Sequence, residues 1–311
     1  MRAFEKIIAA LKSGADPRPE MSAALGVLEA CGPDGMNSAL DELDGLIRSL
    51  PMESGGPLAL LGGALIEAGA APMRLPPAVF DRLLGFLEQI PRGDEGDFEL
   101  PEAYFLYERA AMACLSRSVE LRRTLPHKQR LLARCTRYSE RYGFLGKMLL
   151  TLDDEPLIVV HGATRRAWRF RLSGVADNFQ LHTLIRAALA GSGPDRIAGE
   201  PPSREVADSA AGGRISSAMA SSDWQLACWA GLRPDGGVGE SEHWIWNEGV
   251  PADIEVLGGE RIVLVGMPSI HRSWNAQRVF SAMAGVLEPK GQLSPAEADA
   301  LLLAIRAAQP S

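Results

Sequence analysis

Aromatic side chains divide this chain into two unlike parts, and that division restricts its fold more than any motif does. All six tryptophans fall between Trp168 and Trp274, and all four tyrosines between Tyr104 and Tyr142. Phenylalanine is the one aromatic residue of the first hundred positions. The same boundary separates two periodicities. Before it, apolar residues recur at helical spacing: Phe4, Ile7, Ile8 and Leu11; Leu40, Leu43, Leu46, Ile47 and Leu50; Leu58, Leu61, Leu65 and Ile66; Phe80, Leu83, Leu84 and Leu87. Gly32-Pro33, Gly55-Gly56-Pro57 and Pro91-Arg92-Gly93 punctuate these blocks and predict breaks between helices.

From about residue 147 the period becomes two. Leu157–Val160 and Trp168–Leu172 flank Gly162-Ala163-Thr164-Arg165 and predict a hairpin. Trp168, Phe170 and Leu172 alternate with Arg169 and Arg171, which predicts one buried and one solvated face. A helix is expected over about 178–190. Residues 191–222, rich in Gly, Pro, Ser and Ala, are expected to form either a long mobile loop or a loop with one short helix after Pro202. Further strands are expected at 224–230, 243–247, 254–257 and 261–265, the last two joined by Gly258-Gly259. Two helices are expected to close the chain, the last opened by the capping box Ser294-Pro295-Ala296-Glu297. The predicted fold is therefore α+β: a helical N-terminal domain, 1–146, followed by a domain, 147–311, with a mainly antiparallel sheet and packed helices.

Charge is unevenly placed. Arg130, Arg134, Arg137 and Arg141 share one stripe of a predicted helix, spaced by 4, 3 and 4 residues. The segment 117–147 carries seven Arg and two Lys against Glu120 and Glu140, a local charge of 9 − 2 = +7 in a chain of net −7. Such a stripe implies negative charge opposite it. Three sources fit: carboxylates of the chain itself, in 94–102 or Asp153-Asp154-Glu155; an acidic protein partner, bound bidentately by guanidinium groups; or the phosphates of a nucleic acid. The low overall pI, about 5.4, disfavours a general nucleic-acid binder.

Two blocks stand out after the boundary. Ser173-Gly174-Val175-Ala176-Asp177-Asn178-Phe179-Gln180-Leu181-His182 lies at a strand-to-helix turn. There Asp177 is suited to cap the helix with Gln180 at its third position, and free backbone N–H groups favour anions. Gly266 to Asn275 follows a strand and brings His271, Arg272, Ser273, Trp274 and Asn275 together, which suits a binding loop with Arg272 and Trp274 in contact with a partner. As acid/base groups the candidates are His182, His271 and Asp177, and each equally suits a structural role. The stretches SGVADNFQLHTLI and GMPSIHRSWN resemble blocks of a family of uncharacterised bacterial proteins. The resemblance covers mainly 150–290. It implies a variable helical N-terminal region and an α/β C-terminal region, and it carries no activity.

No phosphate-binding P-loop, zinc-protease helix or nucleophile elbow is present in the sequence. The histidines and the four separated cysteines lack metal-ligand spacing, so neither a metal nor a cofactor is expected. Sparse cysteines, no apolar run near the roughly 20 residues of a membrane span, and 46% hydrophobic residues predict a soluble cytoplasmic protein. The leading expectation is a non-catalytic interaction protein that presents the Arg stripe or the 266–275 loop to an acidic partner. The alternatives are an enzyme using His182, His271 and Asp177, and nucleic-acid binding through the stripe.

Overall fold

A computed structural model of the chain describes residues 2–90, 100–135, 139–267 and 270–309, with the backbone alone for 2–3 and 139–142. The chain is α+β and divides into two compact units, Met1–Leu149 and Leu150–Ser311.

The first unit consists of helices: α1 (Arg2–Ser13), α2 (Arg18–Ala30), α3 (Gly32–Ser49), α4 (Met52–Glu67), α5 (Pro76–Gln89), α6 (Glu102–Arg117), α7 (Val119–Thr124), α8 (Lys128–Cys135) and α9 (Ser139–Leu150). The break expected at Gly32-Pro33 falls there, between α2 and α3, the one expected at Gly55-Gly56-Pro57 does not, and Pro91-Arg92-Gly93 lies outside the described residues. Gly32-Pro33 opens α3 rather than preceding it, because proline is tolerated in a first helical turn. Gly55-Gly56-Pro57 lies inside α4. Its glycines are there for packing. A Cβ on Gly56 would stand 3.3 Å from the Ala103 Cα, and one on Gly63 would stand 3.0 Å from the Ala110 Cα, both on α6. One Cβ-free face of α4 thus lets the α6 backbone approach closely. Asp44 of α3 ties in the next helix by accepting the Ala78 N–H of α5 at 3.1 Å.

The second unit is built on one mixed sheet. Its strands are β1 (Glu155–His161), β2 (Arg166–Ser173), β4 (Gln225–Cys228), β6 (Glu260–Gly266) and β8 (Val286–Gln292), in the order β4-β6-β1-β2-β8, with the short β5 (Val256–Leu257) also paired to β6. β1 and β6 run parallel, and every other pair is antiparallel. Strand alternation sends Leu157, Val159, Trp168, Phe170 and Leu172 to one face and Ile158, Val160 and Ala167 to the other. α10 (Asn178–Leu189) covers the first face with Leu181, Leu184, Ile185 and Leu189. α12 (Pro295–Ala308) covers the second with Ala298, Leu302 and Ile305. Both capping signals form. Asp177 accepts the Gln180 N–H at 2.8 Å, and Ser294 exchanges bonds with Glu297.

Two expectations are corrected here, and the short helix that one reading of 191–222 places after Pro202 is present. Residues 243–247 form no strand. A 3-10 turn at Ser241–His243 leads into a single bridge between Trp244 and Ala227. The helix expected after Asn275 is absent among the described residues, and β8 takes up the sheet edge instead. The reason is Arg278. Its buried guanidinium donates to the carbonyls of Ser209, Gly213 and Ser281, which holds the segment in a form that no helix can share. The 191–222 stretch contains α11 (Arg204–Ala211) and then β3 (Met219–Ser222), which pairs with β7 (Arg272–Asn275). Buried side chains pin this stretch: Arg186 to the Ser221 and Glu200 carbonyls, and the Trp224 indole N–H to the Ala198 carbonyl at 3.1 Å. Among the described residues, no helix is long and apolar enough to cross a membrane.

Candidate functional site

The two blocks singled out in the sequence meet in the second unit. The 246–249 loop lies against the first turn of α10: its carbonyls at Gly249 and Asn247 accept the N–H groups of Asn178 (2.9 Å) and Phe179 (3.1 Å). With Asp177 on the Gln180 N–H, the leading donors of this helix are already spent. The anion site expected at this turn is therefore filled by the chain's own oxygens. Gln180 reaches one residue further back than a capping box requires, accepting from the Ala176 N–H at 3.0 Å and donating to the Ala210 carbonyl at 2.7 Å.

His182, one turn into α10, is fully buried. Its Nε2 stands 3.0 Å from the Ser222 Oγ, and its Nδ1 stands 3.3 Å from the Asn247 Oδ1. The Trp224 N–H donates to the same Ser222 hydroxyl at 2.9 Å. One proton arrangement satisfies the chain: Nδ1–H donates to Asn247, and Nε2 accepts from Ser222. This is the connectivity of a serine–histidine–amide relay, yet Ser222 is 2% and Asn247 4% exposed. Burial pushes the His182 pKa down to about 3, against the Asn247 hydrogen bond. An imidazole so weakly basic is a poor proton acceptor for catalysis near neutral pH. The relay holds α10, β3 and the 246–249 loop in one register.

His271, the second acid/base candidate, lies on the outside. Its Nδ1 pairs with the Asp223 Oδ1 at 2.6 Å, and both side chains are exposed. His182 and His271 thus contact neighbouring positions, Ser222 and Asp223, from opposite environments. Asp177, the third candidate, is buried as the helix cap.

On β7, Trp274 is 6% exposed and packs between Phe179 and His182, with ring centroids 6.0 and 5.0 Å away. Expected at a partner surface, it is a core residue instead, because the strand alternation turns it inward. Arg272 shares that parity, and half-buried it reaches two further aromatic rings. Its guanidinium carbon lies 5.2 Å from the Trp244 ring and 5.1 Å from the Trp246 ring, and these two rings are 5.6 Å apart. Burial lowers the Arg272 pKa, with Glu248 opposing, and the group stays cationic. Among the described residues the Arg272 guanidinium has no hydrogen-bond or ion-pair partner. Trp246 beside it is 52% exposed, and Met267 and Ile270 on the preceding segment are 67% and 50% exposed. Sequence reasoning singled out Arg272 but not its Trp seat. The i, i+2 spacing of Trp244 and Trp246 was the available signal.

The Arg stripe is described only in part. α8 carries Arg130 and Arg134, and the next described helix, α9, carries Arg141. Arg137 and the Arg141 side chain lie outside the described residues, as do 94–99 of the acidic segment. Arg130 is bonded to Glu88 of α5, a partner the sequence did not suggest. Of the other proposed carboxylates, Glu155 pairs with Arg261 at 2.9 Å, and Asp154 lies 3.8 Å from Arg171. Among the described residues, no group of three or more His, Cys, Asp or Glu side chains could hold a metal ion. Compared with protein-family models, curated proteins and solved structures, the chain matches none.

Proposed function

We propose that this chain is a non-catalytic bacterial interaction protein of the cytoplasm, and that it binds an acidic protein partner through Arg272. One observation carries the reading: a half-buried guanidinium is seated on two indole rings with its N–H donors uncommitted. Stacking on indole fixes the plane of the group and leaves its edge free to grip a carboxylate with two parallel bonds. The exposed Trp246, Ile270 and Met267 supply the aromatic and apolar surroundings that interface centres favour. The cytoplasmic assignment rests on the described cysteines, all of them free thiols.

Arg130 counts for less in this reading, because Glu88 already answers it. The catalytic alternative has less support than binding, because the relay that would serve it is dry.

The test is a titration of the full chain with a Glu- and Asp-rich peptide, followed by tryptophan fluorescence. The reading expects Arg272→Gln to weaken binding by about tenfold or more, as loss of a charge-assisted pair does. Arg130→Gln should change it little. Equal binding by the Arg272 variant and the parent chain would overturn the reading.

A further inference from the structure

Beside the Trp244–Trp246 pair lies a cavity of about 280 Å³. Its walls include Asn178, Trp244, Trp246, Asp253 and Glu255, with Glu242 and His243 at one side. Arg272 stacks on the same indoles but forms no part of this wall, and no lysine or arginine lines it. Beside the His243 imidazole, which lies 4.0 Å from Glu242, the cavity offers three carboxylates and two indole rings.

Asn178 sharpens the point. It is 3% exposed, and its Nδ2 donates to the Trp246 carbonyl at 2.9 Å. That bond fixes which way the amide faces, so the atom left over is the acceptor. The Asn178 Oδ1 is buried and has no hydrogen-bond partner. An orphaned buried acceptor is costly and calls for a donor. Gly249 leaves room for this amide, since a Cβ there would stand 2.9 Å from the Asn178 Nδ2.

We propose that this cavity binds a small organic cation, a primary ammonium group on a short apolar stem. The ammonium has three N–H donors and no acceptor, which matches a wall of carboxylate acceptors that holds no lysine or arginine. Indole faces attract the charge, and Ile245, Ile254 and Cys228 receive the stem. The volume lies at the small end of ligand pockets, so the guest is of metabolite-amine size rather than a folded segment. This inference does not depend on the binding of an acidic partner by Arg272.

The test is saturation-transfer NMR on the full chain, with n-butylammonium as probe and 1-butanol as its uncharged counterpart. The ammonium should bind and the alcohol should bind more weakly. The double variant Glu242→Gln/Glu255→Gln changes two exposed side chains, and it should weaken the ammonium by about fivefold. Equal binding of amine and alcohol would mark an apolar cleft only. No transfer to the amine at millimolar concentration would mean a water-filled recess. Either result, or an unchanged affinity in the double variant, would overturn the proposal.

Discussion

The Nε2 of His182 lies 3.0 Å from the Oγ of Ser222, a catalytic distance in a place that water does not reach. The relay therefore predicts inertness. A fluorophosphonate probe, which labels activated serines, should leave the native chain unmodified. Adduct formation at Ser222, detected by peptide mass spectrometry, would show an opened and activated hydroxyl and revive the catalytic reading.

The same histidine sets a pH dependence. Its pKa falls from 6.5 in the unfolded chain to about 3 in the folded one, so between these values the unfolded chain binds the extra proton. Stability is then full above about pH 6.5 and is lost as pH falls, with a slope approaching 1.4 kcal/mol per unit at about pH 5. His161, held low by burial and by Arg166, acts with the same sign. Denaturant midpoints between pH 7 and 5 should decline, and His182→Gln should flatten the decline. An identical slope in the variant would remove His182 as the cause.

Two helical glycines should respond in opposite ways. Gly63→Leu pushes into the Ala110 backbone and should destabilise the first unit by about 1–3 kcal/mol. Gly45→Ala, in α3 with nothing within 4 Å of the added Cβ, should stabilise it by about 0.5–1 kcal/mol through helix propensity. Thermal unfolding of both variants checks the pair. A neutral Gly63→Leu would contradict the close approach of α4 and α6.

Arg278 ties Ser209, Gly213 and Ser281 together through backbone carbonyls. Arg278→Met should cost about 2–3 kcal/mol, the worth of hydrogen bonds to a charged group, and should expose 200–218 to limited proteolysis. Unchanged cleavage there would show that the stretch holds itself.

Much of this architecture was legible in the sequence where a local period had one outcome. The alternation around Trp168, the Gly258-Gly259 turn and the Ser294 cap each specify their structure through neighbours close in sequence. The failures share a cause in long-range bonds. Where a helix was expected, Arg278 makes an irregular tie, two of its three carbonyl partners lying more than sixty residues away. Gly55-Gly56-Pro57 reads as a break until α6 is seen against it. At the site, Asp177 and Arg272 carried visible signals, as cap and as loop cation. The indole seat of Arg272, the Glu88 answer to Arg130 and the unpaired Asn178 oxygen depend on tertiary contacts that have no periodicity to announce them.

The most direct measurement places a photo-crosslinking amino acid at position 270, exposed and two residues from Arg272, in the full chain inside its native host. Irradiation should yield one predominant adduct, whose crosslinked peptide is rich in Asp and Glu, and Arg272→Glu should abolish it. A crosslink that persists undiminished in the Arg272→Glu chain, or no adduct at all, would contradict the assignment of this surface to an acidic partner.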